Sequence, residues 1–132
     1  MFKTKVLCDN DYDLLCSWFR NWGWQEVPAR NFLPNNGKGG LMVLDDDRPI
    51  MAGFFYITNS CVGWLAWVIS DKKYEGLRLK AINMLIENLT EVCRNAGCKY
   101  VYTITNHKVL KKVFSNLGYI QGGEVVEMIK TL

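Results

Sequence analysis

Apolar positions recur along the chain with two periods, and each change of period marks an element. Residues 2–7 alternate apolar and polar side chains, the pattern of a half-buried strand. Asp9, Asn10 and Asp11 supply helix caps, and Tyr12, Leu15, Phe19 and Trp22 follow at helical spacing. Residues 10–22 are therefore predicted helical, with Gly23 as the stop. Residues 26–32 read as a short second helix, ended by Pro34. A loop rich in Asn and Gly leads to a strand over 41–44, a turn at Asp45–Pro49, and a hairpin partner over 50–57. A near-continuous apolar run, 62–69, reads as a buried strand. From Gly76 on, Leu77, Ala81, Ile82, Leu85, Ile86, Leu89, Val92 and Cys93 keep a period of 3.6, up to Ala96 and Gly97. A strand over 100–104 and a helix marked by Val109, Leu110, Val113, Phe114 and Leu117 follow, ended by Gly118. Residues 119–120 and 125–129 flank Gly122 and Gly123 as a final hairpin. The order β-α-α-β-β-β-α-β-α-β-β predicts an α/β (α+β) mixed sheet with helices on both faces, in one domain over 1–132.

The composition suits a packed globule: 132 residues, 49% apolar and 22% charged. No apolar run reaches the ~18 residues of a membrane span. The first residues are too few and too polar for a signal peptide, so a cytoplasmic protein without membrane contact is expected. Cys8, Cys16, Cys61, Cys93 and Cys98 lack metal-site spacing and read as free, mostly buried thiols, with no metal. The net charge of +3 is too small to imply nucleic acid. Its distribution says more. Lys108, Lys111 and Lys112 read as a solvated face, whereas Lys72, Lys73, Arg78 and Lys80 crowd the loop after the buried strand. Strand, basic glycine loop and helix start together make an anion site, because unpaired N–H groups and the helix dipole meet there.

These motifs, in this order, resemble the GNAT acyl-CoA N-acyltransferase superfamily over nearly the whole chain, most strongly over 65–119. That family reads Gln/Arg-x-x-Gly-x-Gly/Ala in the loop. Here Lys73-Tyr74-Glu75-Gly76-Leu77-Arg78 stands in its place, with Lys73 for the leading residue, Gly76 for the first glycine and Arg78 for the second small residue. The family's later signature is an Asn, a helix, then Tyr-x-x-x-Gly-Phe. Asn106 and His107, the helix to Leu117, and Gly118-Tyr119 resemble it, with Phe114 where many members carry a proton-donating Tyr. The resemblance implies a GNAT-like fold and acetyl-CoA as acyl donor, bound by Val68, Ile69, Lys73, Tyr74, Glu75, Gly76, Leu77, Arg78, Asn106, Lys111 and Phe114. The Trp-Gly-Trp turn and modest length also look like small phage-encoded members.

The implied activity is acetyl transfer to an amine of an unidentified small or macromolecular acceptor. The strand before the loop lacks the family's usual Glu. Candidates for moving the proton are Glu26, Asp71, His107, Glu127 and water, with Glu26 and His107 the catalytic choices; His107 is the single histidine. Trp22, Trp24 and Trp64 read as walls of an acceptor pocket suited to a planar or apolar substrate. Two other readings stand beside it: a GNAT-fold binding protein without turnover, and a transferase acting on nucleic-acid amino groups. A monomer or a homodimer fits the sequence equally.

Overall fold

A computed structural model describes residues 1–132. The period-two segments become five strands: β1 (Phe2–Val6), β2 (Gly40–Asp45), β3 (Arg48–Ile57), β4 (Val62–Ser70) and β5 (Tyr100–Thr103). They form one sheet in the order β1-β2-β3-β4-β5. β1 to β4 pair antiparallel, and β5 lies parallel to β4. The helical segments become α1 (Tyr12–Asn21), α2 (Arg78–Asn95) and α3 (Lys108–Asn116). Each helix ends two residues before a glycine in the left-handed region: Gly23, Gly97 and Gly118.

Alternation along the strands supplies two cores. Met42, Ala52, Phe54 and Ile69 meet Leu15, Trp18 and Phe19 of α1 on one face. Val43, Ile50 and Leu65 meet Ala81, Leu85, Ile86, Leu89 and Cys93 of α2 and Val113 and Phe114 of α3 on the other. Helices therefore cover both faces of a mixed sheet, as the pattern predicted.

The structure differs from the sequence reading at four places. Residues 26–32 hold no α-helix, only a 3₁₀ turn at Arg30–Phe32 that runs on to another at Pro34–Gly37. Pro28 lacks an N–H and biases Val27 toward extended backbone, and seven residues are too few to nucleate a helix unaided. The final hairpin is also absent. After Tyr119 the chain forms no strand, and residues 120–132 are exposed throughout. A two-stranded hairpin gains too little burial to stand alone, and this one rests on nothing.

Third, β4 does not alternate evenly. Ala52 pairs with Ile69 and Phe54 with Ala66, so Gly53 faces two residues, Trp67 and Val68. Trp67 takes φ 57, the left-handed region. This bulge puts Leu65 in the α2-side core but Trp67 and Ile69 on the α1 side, although all three would share a face in a regular strand. Fourth, all five cysteines are free, but only Cys16 and Cys93 are buried. Burial, then the neighbouring Cys98, pushes the Cys93 thiol up to about 11.

The α2 face carries the packing. Leu85 is fully buried, whereas Leu77, just before α2, is 65% exposed. Leu85→Ala is expected to cost about 3 kcal/mol of stability and Leu77→Ala less than about 0.5 kcal/mol. Urea unfolding of the two variants checks the contrast.

Candidate active site

The parallel pair ends early. Leu65 opposite Thr103 is the last β4–β5 partnership, and the Thr103 hydroxyl donates to the Leu65 carbonyl at 2.9 Å. β4 runs on over residues 66–70 with no neighbour on that side, while the chain beyond β5 turns toward α3. The sheet thus opens into a notch, and the Trp67 bulge lies on its wall. Val68 is half-buried just past the bulge, and Ile69 is buried.

An aromatic band lies on the α1 side of this region. The Trp67 indole donates to the Tyr56 hydroxyl at 2.9 Å, and Tyr56 in turn donates to the Phe32 carbonyl at 3.1 Å. The Trp67 ring meets Trp24 at 6.0 Å and Phe32 at 5.6 Å, edge to face. Trp64 sits opposite Tyr56 and stacks on Tyr102 at 4.6 Å. Of the pocket walls chosen from sequence, Trp24 and Trp64 belong to this band. Trp22 does not: its indole donates to the Ser70 carbonyl at 2.8 Å, at the end of β4. Tyr56, Phe32, Trp67 and Tyr102 escaped the sequence reading. The i, i+2 spacing of Tyr100 and Tyr102 signalled outward faces, but no Gly or Asn marked the bulge.

At the end of β4, Asp71 staples the basic loop. Its N–H donates to the Ile50 carbonyl at 2.9 Å, and its carboxylate accepts from Arg48 Nη2 at 2.9 Å and from the Lys73 N–H at 3.0 Å. Its carbonyl accepts from the Tyr74 N–H at 3.1 Å and from Arg78 Nη2 at 2.5 Å. Arg78 also donates to the Tyr74 carbonyl at 3.0 Å and to the Ser70 hydroxyl at 2.9 Å. The Arg78 guanidinium thus folds back and ties β4 to α2. Lys72 lies over the Trp22 ring at 5.1 Å. Burial pushes the Asp71 carboxyl up, but the Arg48 bond, the Lys73 N–H and the charges of Arg48 and Arg78 outweigh it, leaving the net value below the ordinary one.

Tyr74 turns inward. Its side chain is buried and its hydroxyl donates to Asp45 Oδ2 at 2.6 Å. A Cβ on Gly76 would stand 2.1 Å from that hydroxyl, so this close approach alone demands glycine. Beside it lies a shallow cleft of about 180 Å³ between Phe2, Asp45, Tyr74, Gly76, Leu77 and Lys80. The first α2 bond joins the Ala81 N–H to the Leu77 carbonyl, at 3.1 Å. The N–H groups of Leu79 and Lys80 therefore have no intrahelical partner. Lys73, Glu75 and Leu77 are exposed.

Asn106, His107 and Lys111 are exposed at the start of α3, where the His107 N–H donates to the Thr105 hydroxyl at 3.1 Å. Phe114 is buried in the core, 4.8 Å from the Tyr119 ring. The Tyr119 hydroxyl shares a 2.5 Å bond with Thr90 of α2, and burial holds its phenol above the usual range. Glu26 is exposed in the segment between α1 and the 3₁₀ turns. The structure gathers the loop residues around Gly76, and it leaves Glu26 and His107 on separate exposed segments.

The depressed Asp71 carboxyl contributes stability at pH values above its unfolded pKa of roughly 3.9, and that contribution disappears as pH falls through the lower folded value. Asp71→Asn is expected to destabilise by about 1 kcal/mol at pH 7, a modest figure because Arg48 is half exposed. The gap to the parent should close below about pH 4. Thermal midpoints measured across pH check both.

No family model matches the chain, and no curated protein matches it. Solved structures do. A Trypanosoma brucei acetyltransferase superposes with TM-score 0.70 at 16% identity, over 98% of this chain and 100% of that one. An aminoglycoside acetyltransferase from an uncultured soil metagenomic sample, in complex with sisomicin, gives TM-score 0.74 at 13% identity, over 99% and 96%. AAC(6')-Iy, in complex with the bisubstrate analogue CoA-S-monomethyl-acetylneamine, gives 0.71 at 15% identity, over 100% and 99%. With its mixed sheet opening between β4 and β5 beside a basic loop, the chain has the GNAT acetyltransferase fold.

Proposed function

We propose that the protein is an acyl-CoA-dependent N-acetyltransferase that carries an acetyl group from acetyl-CoA to an amine. The observation that carries this reading is the early end of the β4–β5 pairing beside the basic loop at the start of α2. Such an opening gives an extended pantetheine chain free strand edge to bond. The helix start meets the charged end of the same molecule. Solved neighbours of this fold include proteins in complex with a CoA analogue or with coenzyme A.

The donor set fits a diphosphate on the outer side of the turn. Tyr74 fills the hollow under Gly76 from the β2 side. What remains outward are the exposed Gly76 backbone, the unpaired N–H groups of Leu79 and Lys80, and the Lys72 and Lys73 ammonium groups. Arg78 holds the loop in shape through its three bonds. Backbone N–H groups near Val68 would polarise the thioester carbonyl, a role worth about 3 kcal/mol. The amine nitrogen attacks that carbonyl carbon. The C–N bond forms, the C–S bond breaks, and the thiolate leaves. The ammonium proton goes to water, or to His107 or Glu26. A thiol of free pKa about 8.5 leaves without an obligatory acid near neutral pH. The half-exposed rings of Trp24, Trp64, Trp67 and Phe32 suit a planar or apolar acceptor.

A second reading rests on Phe114 and Tyr119. Phe114 is buried and has no proton to give, and the nearby hydroxyl of Tyr119 is engaged by Thr90, so neither residue at the end of α3 stands ready as the acid. A protein that binds coenzyme A without turnover fits that arrangement.

Titration calorimetry with acetyl-CoA separates the outcomes. Binding is expected, and Lys73→Glu should weaken it about tenfold, a change of 1.4 kcal/mol. No heat and no thermal shift at millimolar ligand would sink the proposal. The Gly76 turn is tested in a Tyr74→Ala background, where a Cβ has room. There Gly76→Val should still weaken binding, and unchanged affinity would put the diphosphate elsewhere. Binding without acetyl loss across an amine panel selects the second reading.

A further inference from the structure

The three helices end in the same way. At each C-terminus a glycine N–H donates to the carbonyl three residues back, and the next N–H donates to the carbonyl five residues back: Trp24 to Phe19 at 3.1 Å, Cys98 to Cys93 at 3.0 Å and Tyr119 to Phe114 at 3.0 Å. With Gly23, Gly97 and Gly118 at positive φ, this is the doubly bonded glycine cap, in which the side chains at the two ends of the longer bond meet. In α1 and α3 the pair that meets is aromatic. The rings of Phe19 and Trp24 lie 4.8 Å apart, as do those of Phe114 and Tyr119. In α2 the same two places are held by Cys93 and Cys98, both free thiols.

Two further observations set these sulfurs side by side. A Cβ on Gly63 of β4 would stand 2.7 Å from the Cys93 sulfur and 3.2 Å from the Cys98 sulfur. Both therefore face one point, and the missing side chain leaves them room. Cys98 also packs against the core that contains Cys93. The two differ in access: Cys98 is half-buried, whereas Cys93 is fully buried.

The structure assigns Cys93 and Cys98 as an oxidisable pair, which a peroxide converts to a disulfide that staples the end of α2 to the start of β5. The oxidant meets Cys98, the more open of the two. Its sulfur attacks the peroxide, an S–O bond forms, the O–O bond breaks, and water leaves. Sulfur is oxidised to a sulfenic acid and the peroxide is reduced. The Cys93 sulfur then attacks the Cys98 sulfur. The S–S bond forms, the S–O bond breaks, and the departing hydroxide takes the Cys93 proton as a second water. Cys93 does not react with peroxide by itself, because burial pushes its thiol up to about 11 and keeps it protonated. Cys61 is the competing thiol: it is exposed, and its carbonyl accepts from the Lys99 N–H at 2.8 Å, next to Cys98. No helix cap brings its side chain to the pair. The staple acts where the sheet is weakest, since β5 is only four residues long. It lies at the far end of the 18-residue α2 from Gly76, about 27 Å along the helix, and is independent of acetyl-CoA.

Peptide mapping reads the result. The full chain is treated with hydrogen peroxide, remaining thiols are blocked with iodoacetamide in denaturant, and trypsin cuts after Arg94, between the two cysteines. The expected product joins residues 81–94 to residues 95–99, two hydrogens lighter than the separate peptides, and dithiothreitol releases it. The oxidised chain should melt a few degrees above the reduced one, because closing a loop restricts the unfolded chain. Cys98→Ser, a small change at a half-buried position, should fold as the parent does and show neither the joined peptides nor the shift. A link from Cys98 to Cys61, a link between chains, Cys98 carried to sulfinic acid while Cys93 stays free, no oxidation, or a shift that survives in Cys98→Ser would each overturn the assignment.

Discussion

A parallel strand cannot follow its neighbour through a tight turn, so β5 reaches β4 only by way of α2. That crossover is held by one apolar stripe: Ala81, Leu85, Ile86, Leu89 and Cys93 are all fully buried against β2, β3 and β4. Each of the larger side chains contributes about 1.5–3 kcal/mol by leaving water, which makes α2 the largest single source of packing on its face. Everything at the candidate site inherits its position from this helix. The start of α2 places unpaired N–H groups at the end of β4. Its last turns set Cys93 under Gly63, where no Cβ stands between helix and sheet. The notch exists because β5, delivered by α2, is only four residues long while β4 is nine.

The charges of the basic loop are mostly engaged within the fold. Arg78 is bonded to two carbonyls and a hydroxyl, Arg48 pairs with Asp71, and Lys72 lies on Trp22 and reaches the Asn21 carbonyl at 3.5 Å. Counting cations in the sequence overstates the attraction for an anion, because a guanidinium holding carbonyls also organises the amides around it. The loop gains shape from the same residues that it lends less charge, and preorganised N–H groups are the better part of an anion site in partly desolvated surroundings.

Legibility in the sequence followed locality. α2 and α3 could be read because their apolar period and glycine stops are short-range properties. The β2–β3 hairpin and the turn into β4 could be read because turn residues separate these runs, whereas the pairing of β1 with β2 joins distant segments and left no local signal. Residues 26–32 misled because so short a segment shows no full period of its own, and Pro28 biases Val27 toward extended backbone. The final hairpin misled for another reason. Its pattern is strand-like, but a pattern states which residues favour burial without stating against what. The stapling role of Arg78 could not be read, since its partners Ser70, Asp71 and Tyr74 become its neighbours only when the loop closes. Tyr74 read as a loop residue, and its reach to Asp45, 29 positions away, lies beyond any local signal.

Trp67 carries the least local feature of all. A bulky residue at positive φ costs on the order of 1–3 kcal/mol, and a Gly or Asn would avoid that cost. The structure holds it there by the hydrogen bond to Tyr56 and by edge contacts from Trp24 and Phe32, groups drawn from three separate segments. A strain that the surroundings over-determine is maintained by what it positions. Here it turns the backbone of β4 at the point where β5 stops accompanying it, and it swings an indole to the α1 side next to the opening. Were the bulge only a packing accident, replacing Trp67 with Gly would relieve strain and remove one ring. Because the bulge aims both the backbone and the aromatic band, the same change would also disconnect Trp24 and Phe32 from Tyr56. Strand edge and aromatic band are in that sense one construction.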